Sequence, residues 1–266
     1  MAGDAVPKRS LGQHFLTDRN ILGAIADAAQ VSSGDTVIEV GPGRGSLTQV
    51  LSERAGRVVA LEIDAVLVDA LRPAVGANVN VLHADARRAD PAALLGGCRP
   101  YKLLGNLPYY AAMPILRTFL ESGCPPRAVA ILVQREVANA LCAEPGKMSL
   151  ASLSVQLFGR PRRMRIVRPG SFNPPPKITS AIVAIDVYER PAEGVDDVPA
   201  FFHVARAGFS APRKQLRNAL AGGLSVPSAE AESLLGRAGI DPKRRAESLS
   251  MAEWAALYRS WQGHRP

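Results

Sequence analysis

Thr36-Val37-Ile38-Glu39-Val40-Gly41-Pro42-Gly43-Arg44-Gly45 is the stretch on which the fold turns. Its first five residues are mostly β-branched and read as a short buried strand. The strand runs directly into a loop with glycine at every second position, and Ser46 to Arg54 beyond it reads as a helix. Strand, glycine loop and helix in immediate succession are the opening unit of a parallel sheet. Gly41 and Gly43 let the backbone approach a ligand where a Cβ would stand in the way. The spacing alone leaves several readings open: an adenosine-containing cofactor, a nicotinamide dinucleotide, or a plain tight turn.

The pattern repeats outward. On the N-terminal side, Thr17 or Asp18 caps a predicted helix to about Gln30, with Ile21, Leu22, Ile25 and Ala29 on one face. On the C-terminal side, strands are expected at Arg57–Leu61, Val79–His83, Tyr101–Leu104 and Ala128–Val133. Helices are expected from Asp64 to about Val75, from Pro114 to Glu121 and from Arg135 to Ala143. This alternation predicts an α/β domain with a largely parallel sheet. Leu153–Phe158, Met164–Val167 and Ser180–Tyr188 are strand candidates without full helices between them, so an antiparallel pair is expected to close the sheet. Residues 189–199 read as a linker. The pattern beyond it is helical at roughly 199–208, 212–221, 228–238 and 250–261. The expected organisation is therefore a catalytic domain over 1–190 and a small all-helical domain over 199–266.

The charge is unevenly placed. Of the net +8, residues 160–266 hold 17 Lys and Arg against 10 Asp and Glu, while residues 1–159 are nearly balanced at 15 and 14. A basic C-terminal part beside a neutral N-terminal part points to a polyanion partner held by one half while the other carries the chemistry. Cys98, Cys124 and Cys142 are odd in number and widely spaced, which indicates neither a disulfide framework nor a zinc site. No apolar run reaches the length of a membrane span, and the N-terminus is polar. A reducing cytoplasm is the default location.

In open α/β sheets ligands bind beyond the C-terminal ends of the strands. Four predicted strand ends carry informative residues: the Gly41–Gly45 loop, Glu62, Asp85 and Asn106. Glu62 is placed to accept from both hydroxyls of a ribose, and Asp85 to accept from an adenine amino group or else to cap a helix. The strand ending Leu103-Leu104-Gly105-Asn106-Leu107-Pro108-Tyr109-Tyr110 separates the cofactor readings. An amide beside a flat ring is what an enzyme needs to hold an extruded base by its exocyclic amino group. That nitrogen is a poor nucleophile while its lone pair is conjugated into the ring. Acceptors at Asn106 and the adjoining backbone turn the lone pair toward an incoming methyl group, so positioning and electrostatics suffice without a strong base. Ser171-Phe172-Asn173-Pro174-Pro175-Pro176-Lys177 is a rigid loop that presents Phe172 either as a second stacking ring or as a core plug. Arg160, Arg162, Arg163, Arg165 and Arg168, just upstream, suit phosphate contact or a solvated strand face equally.

With these motifs the sequence resembles the bacterial small-subunit (16S) ribosomal RNA adenine N6,N6-dimethyltransferases. The resemblance runs through Gly12-Gln13-His14-Phe15-Leu16, Glu39 to Gly45, Leu61-Glu62-Ile63-Asp64, Asn106-Leu107-Pro108-Tyr109, Gln134 to Ala138, Phe172 to Ser180, Arg213 to Leu220 and Arg245 to Trp254. It implies a Rossmann-like methyltransferase sheet, S-adenosyl-L-methionine as cofactor, no metal, and transfer to N6 of two adjacent adenosines in a hairpin near the rRNA 3′ end. By motif position His14, Leu16, Gly41, Gly43, Glu62, Asp85 and Asn106 would contact the cofactor. Asn106, Tyr109 and Phe172 would hold the base, in a catalytic set that includes Leu107. The helical domain would dock on the immature small subunit, with the chain acting as a monomer. The sequence departs from the family pattern at His14, where Asn is commoner, at Thr179, where Asp is frequent, and at Leu150-Ala151, where Tyr-Gly is usual. Two alternatives remain: a macrolide-resistance type methyltransferase acting on large-subunit rRNA, against which Leu107 and the long Arg213–Trp261 tail argue, and a non-catalytic nucleic-acid-binding factor, which would need no cofactor cleft.

Overall fold

Nine strands and eleven helices, traced here in a computed structural model that describes residues 14–108 and 110–263, fall into two compact units. The described part of the first comprises 14–139 and 160–187; that of the second comprises 140–159 and 188–263.

In the first unit, β1 (Phe15–Leu16) precedes α1 (Arg19–Ala28), whose first turn is capped by the Asp18 side chain on Asn20 N–H. β2 (Thr36–Val40), α2 (Ser46–Arg54), β3 (Arg57–Glu62) and α3 (Ala65–Leu71) follow, the last capped by Asp64 on Val66 N–H. Next come β4 (Val79–His83), α4 (Pro91–Leu95), β5 (Lys102–Asn106), α5 (Ala112–Leu120), β6 (Ala128–Gln134) and α6 (Arg135–Leu141). α7 (Leu150–Gln156), which belongs to the second unit, precedes β7 (Gly159–Val167), β8 (Phe172–Asn173) and β9 (Ser180–Val187) in the chain. The main sheet has seven strands in the order β4-β3-β2-β5-β6-β9-β7. β4, β3, β2, β5 and β6 pair in parallel, and β9 runs antiparallel to β6. The order reverses direction at β2, which lies between β3 and β5. That switch point, at the C-terminal edge, is where such sheets open a crevice. β1 and β8 form a separate antiparallel pair with Leu16 opposite Phe172.

The apolar faces of α1 and α2 close over the sheet. Ile25 and Leu51 are fully buried with Val37, Val58, Leu104 and Ala130 in one cluster. Each such aliphatic side chain contributes about 1.5–3 kcal/mol on burial. Val68 and Leu71 of α3 pack on Ala60 and Val81 in a second cluster. The arginine-rich β7 lies at the sheet edge with Arg160, Arg162, Arg163 and Arg165 exposed. Arg162 pairs with Asp186 at 3.0 Å, and Arg163 hydrogen-bonds Asn139. Charge on an edge strand keeps it from pairing with another chain.

The second unit also contains α8 (Val198–Gly208), α9 (Leu216–Leu224), α10 (Ser228–Arg237) and α11 (Met251–Gln262). Trp254 and Tyr258 of α11 are fully buried; Trp254 stacks on Phe209 at 5.2 Å, and Tyr258 meets the edge of Phe201 at 6.0 Å. The Tyr258 hydroxyl donates to Asp196 at 2.5 Å and accepts from Asp197 N–H at 3.0 Å, which ties the expected linker to the last helix.

Three expectations change. Leu153–Phe158 is not a strand: Ser149 and Ser152 form a capping box that starts α7, and the helix runs to Gln156. Leu153, Val155 and Leu157 alternate like a strand, but Ser152 and Ser154 between them are buried too, so the alternation does not mark a solvent face. The helix expected from 212 begins at Leu216, after a turn through Arg213 and Lys214. Cys98 and Cys124 are joined in a disulfide with Cα atoms 5.4 Å apart. The turn after α4 and the loop before β6 meet there, and the 26-residue spacing carries no sign of it. No helix of the described residues is long and apolar enough to cross a membrane.

Candidate active site

The ends of β2, β3 and β5 and the turn after β4 border one cleft, with an empty volume of ≈ 1070 Å³ counting its open mouth. Of the site residues expected from sequence, His14, Leu16, Gly41, Gly43, Glu62, Asp85, Asn106 and Leu107 all line it.

The floor is the glycine loop. Gly41 and Gly43 have φ of +70° and +56°, a region L side chains rarely adopt. A Cβ on Gly43 would stand 3.0 Å from two atoms of the Phe15 ring, so the loop and the N-terminal segment approach as closely as they do only with glycine there. The Gly43 N–H donates to Glu62 Oε2 at 3.1 Å. Glu62 Oε1 accepts from the N–H groups of Ile63 at 2.9 Å and Asp64 at 3.0 Å. Burial pushes the Glu62 carboxyl up, while these three backbone donors favour its ionised form. They also fix its orientation. Oε2 carries one such hydrogen bond, which leaves acceptor capacity for a hydroxyl from the cleft.

β3 and β4 pair so that Glu62 lies opposite His83, which places Asp85 two residues beyond, on the same rim. Asp85 caps the short turn Ala86–Arg88 through Arg87 N–H. The Arg87 guanidinium also grips it, with Nη2 2.7 Å from Oδ2, and holds its carboxyl below the usual range.

Asn106 ends β5 across the cleft. Its Nδ2 donates to the His14 carbonyl at 3.0 Å. His14 Nδ1 donates in turn to the Pro174 carbonyl at 2.9 Å, and Thr17 N–H donates to the Ser171 carbonyl at 2.9 Å. The segment around Phe15 and Leu16 is thus a cleft wall clamped between β8 and Asn106. Arg44 stacks over the Phe15 ring with its guanidinium carbon 4.7 Å from the centroid. Glu39, one residue before the end of β2, is fully buried. Its carboxylate and the Thr48 hydroxyl make no hydrogen bond of ordinary geometry. Burial raises the Glu39 carboxyl to about 8; the neighbouring Thr48 hydroxyl opposes this, and the charge of Glu62 adds to it.

Of the remaining expected residues, one is described and is not among those that line the cleft. Tyr109 lies outside the described residues, as do Gly12 and Gln13. Phe172 is described and is 4% exposed, in the core cluster that contains Leu16, Ile21 and Leu22. The antiparallel register sets Phe172 opposite Leu16, and unlike Leu16 it is not among the residues that line the cleft. The structure therefore gives Phe172 as a core residue, not a second ring at the cleft. Sequence reasoning missed Phe15, Arg44, Arg87 and Tyr110, which all line the cleft. Tyr110 is 56% exposed there, and its position next to Tyr109 in the strand-end motif was the available signal.

A parallel sheet with a switch-point crevice, a glycine loop at its floor, acids at two strand ends and an amide at a third defines a Rossmann-like methyltransferase. The model of the ribosomal RNA adenine dimethylase family matches residues 6–262, and the chain belongs to that family. A ribosomal RNA small subunit methyltransferase A of Dehalococcoides mccartyi is 46% identical over 260 residues, spanning 97% of this chain and 89% of its own length. A protein of the same name from Alkaliphilus oremlandii is 40% identical, over 94% of this chain and 90% of its own. A dimethyladenosine transferase from Plasmodium falciparum shares the fold with a TM-score of 0.80 at 24% identity, over 94% of this chain and 98% of its own.

Proposed function

We propose that this protein transfers methyl groups from S-adenosyl-L-methionine to N6 of two adjacent adenosines in the hairpin near the 3′ end of 16S rRNA, within the immature small subunit in the cytoplasm. The observation that carries the reading is the convergence of Gly43, Glu62, Asp85 and Asn106 on one cleft. The residues present fit an adenosine cofactor: a loop that a Cβ would obstruct, a pre-oriented carboxylate with spare acceptor capacity and a second carboxylate on the same rim.

When bound, the cofactor supplies an electrophilic methyl group on a sulfonium. Glu62 would accept from the ribose hydroxyls, and Asp85 would accept from the adenine amino group. Asn106 holds the target amino group. Because its Nδ2 is committed to the His14 carbonyl, its oxygen is the atom left to accept an N–H from the base. Leu107, buried beside it, fixes the backbone of the turn. Tyr109 supplies the stacking face, worth about 1–3 kcal/mol. The amino proton becomes acidic as the methyl group arrives and passes to solvent, so no general base is needed. The domain over 199–266 holds the subunit through its excess of basic residues, and the chain acts as a monomer without a metal.

The test is incubation of purified protein with labelled cofactor and small subunits from cells lacking this protein. N6,N6-dimethyladenosine in 16S rRNA is the expected product. Label in large-subunit rRNA instead would favour the resistance-type activity. Binding without any transfer would favour an assembly factor.

A further inference from the structure

Both oxygens of the Asp85 carboxylate are held by one residue. Oδ1 accepts from Arg87 N–H at 3.0 Å and Arg87 Nε at 2.9 Å. Oδ2 accepts from Nε at 3.1 Å and Nη2 at 2.7 Å. Three N–H groups of this one residue, the Nε–H shared between both oxygens, take most of the roughly four lone-pair directions of the carboxylate. An amino group entering the cleft competes with the guanidinium for both oxygens of Asp85.

Arg87 also reaches beyond the cleft. It lines a second, open groove of ≈ 840 Å³, counting its open mouth, with Met113, Pro114, Arg117 and Thr118 of α5 and Glu121 just beyond its end. Its side chain is 43% exposed, so no packed interior encloses it. Its backbone is anchored, since Thr118 Oγ1 donates to the Arg87 carbonyl at 2.9 Å. Arg88 follows it in the turn, and Arg117 stands in the groove paired with Glu121 at 2.6 Å. The one carboxylate among the residues lining that groove, Glu121, is already paired with Arg117. Phosphate matches the planar fork of a guanidinium and takes two parallel N–H donors at once.

We propose that Arg87 is a latch shared by two sites: it closes the adenine acceptor Asp85 while the cleft is empty, and when a nucleoside cofactor takes Asp85 it turns into the outer groove and binds a phosphate of the RNA strand that presents the target base. This rests on the reading of the cleft as an adenosine-cofactor site. The consequence is coupling: each ligand strengthens the other by the same factor. The backbone of the bound strand then runs along the face of α5 next to the cleft mouth.

The experiment uses S-adenosylhomocysteine, which cannot donate a methyl group, and undermethylated small subunits, with the full-length protein and its Arg87→Ala variant. Calorimetry gives the affinity for S-adenosylhomocysteine, and filter binding gives that for subunits with and without saturating S-adenosylhomocysteine. In the unaltered protein, S-adenosylhomocysteine is expected to tighten subunit binding about 5-fold or more. In Arg87→Ala that gain falls to about 1, while affinity for S-adenosylhomocysteine alone is equal or tighter because its competitor is gone. An undiminished gain in Arg87→Ala, or several-fold weaker binding of S-adenosylhomocysteine by it, overturns the latch while leaving the cofactor site intact. Absence of any S-adenosylhomocysteine binding by the unaltered protein overturns the cofactor reading and the latch together.

Discussion

The side-chain amide of Asn106 donates to the backbone carbonyl of His14, 92 positions earlier, at 3.0 Å. The bond decides which end of the amide faces a base. It also makes the N-terminal wall depend on the residue proposed to hold the substrate. Asn106→Ala removes the acceptor and the tie, and is expected to lower the transfer rate by about 10²–10³-fold or more. Subunit binding is expected to persist, because the basic residues concentrated after position 160 remain. Parallel filter-binding and methyl-transfer assays check this; equal loss of both would remove Asn106 from its proposed role.

Gly43 carries a second prediction. Its φ of +56° and the 3.0 Å approach of the Phe15 ring leave no room for a side chain without strain. Gly43→Ala is expected to cost about 1–2 kcal/mol in the backbone alone, which lowers Tm by roughly 2–4 °C per kcal/mol for a chain of this size class. It also disturbs the N–H that holds Glu62. S-adenosylhomocysteine affinity is therefore expected to fall about 10-fold or more, near the lower end of what one hydrogen bond to a charged group contributes. Calorimetry on the folded variant reads it directly, and unchanged affinity would dissociate the loop from the cofactor.

The two rings proposed from sequence separate under mutation. Phe172 lies in the core with Leu16, so Phe172→Ala is expected to cost about 3–5 kcal/mol of stability. Phe172→Leu keeps an apolar filling, and about 1.5 kcal/mol or less is expected from a swap that nearly conserves volume. Transfer by the folded Leu variant is expected to exceed that of Tyr109→Ala, in which the stacking face itself is gone, while Tyr109→Phe keeps the face and most of the rate. Steady-state kinetics on the three variants, with melting curves alongside, decide the matter. Severe loss of transfer in a stable Phe172→Leu would return this ring to the grip on the base.

What could be read in advance follows from which interactions are local. Ser46–Arg54 and Val79–His83 match their expected ranges because periodicity, β-branching and flanking turns agree within each segment. Asp18 and Asp64 announce their helices through caps only two residues long in reach. Leu153–Phe158 misled because α7 is buried around more than one face, which erases the polar positions that distinguish a helix from a strand. The clamp of residues 14–17 on 171–174, the tie from Asn106 to His14 and the Cys98–Cys124 bond join distant segments, and no local pattern encodes such pairs. Asp85 was legible as an acceptor, but its capture by Arg87 depends on a side-chain rotamer that spacing alone does not fix.

Glu39 supplies a prediction about pH. Its carboxyl is wholly buried on β2, and removal from water, with the charge of Glu62 adding, raises it from the ordinary 4.5 to about 8. The native state thus keeps a proton that the unfolded chain has already lost across this interval. Stability from this group is complete below about 4.5 and is lost as pH rises toward about 8, because the unfolded state binds fewer protons there. Each pKa unit corresponds to about 1.36 kcal/mol, so the loss amounts to a few kcal/mol. Glu39→Gln has no proton to give up. Its Tm is expected to vary less between pH 5 and 9, lying below the unaltered protein at pH 5, where the buried amide lacks partners, and above it near pH 9. Melting curves at half-unit steps across that range test the crossing. Parallel curves throughout would show that Glu39 is not the group holding the proton.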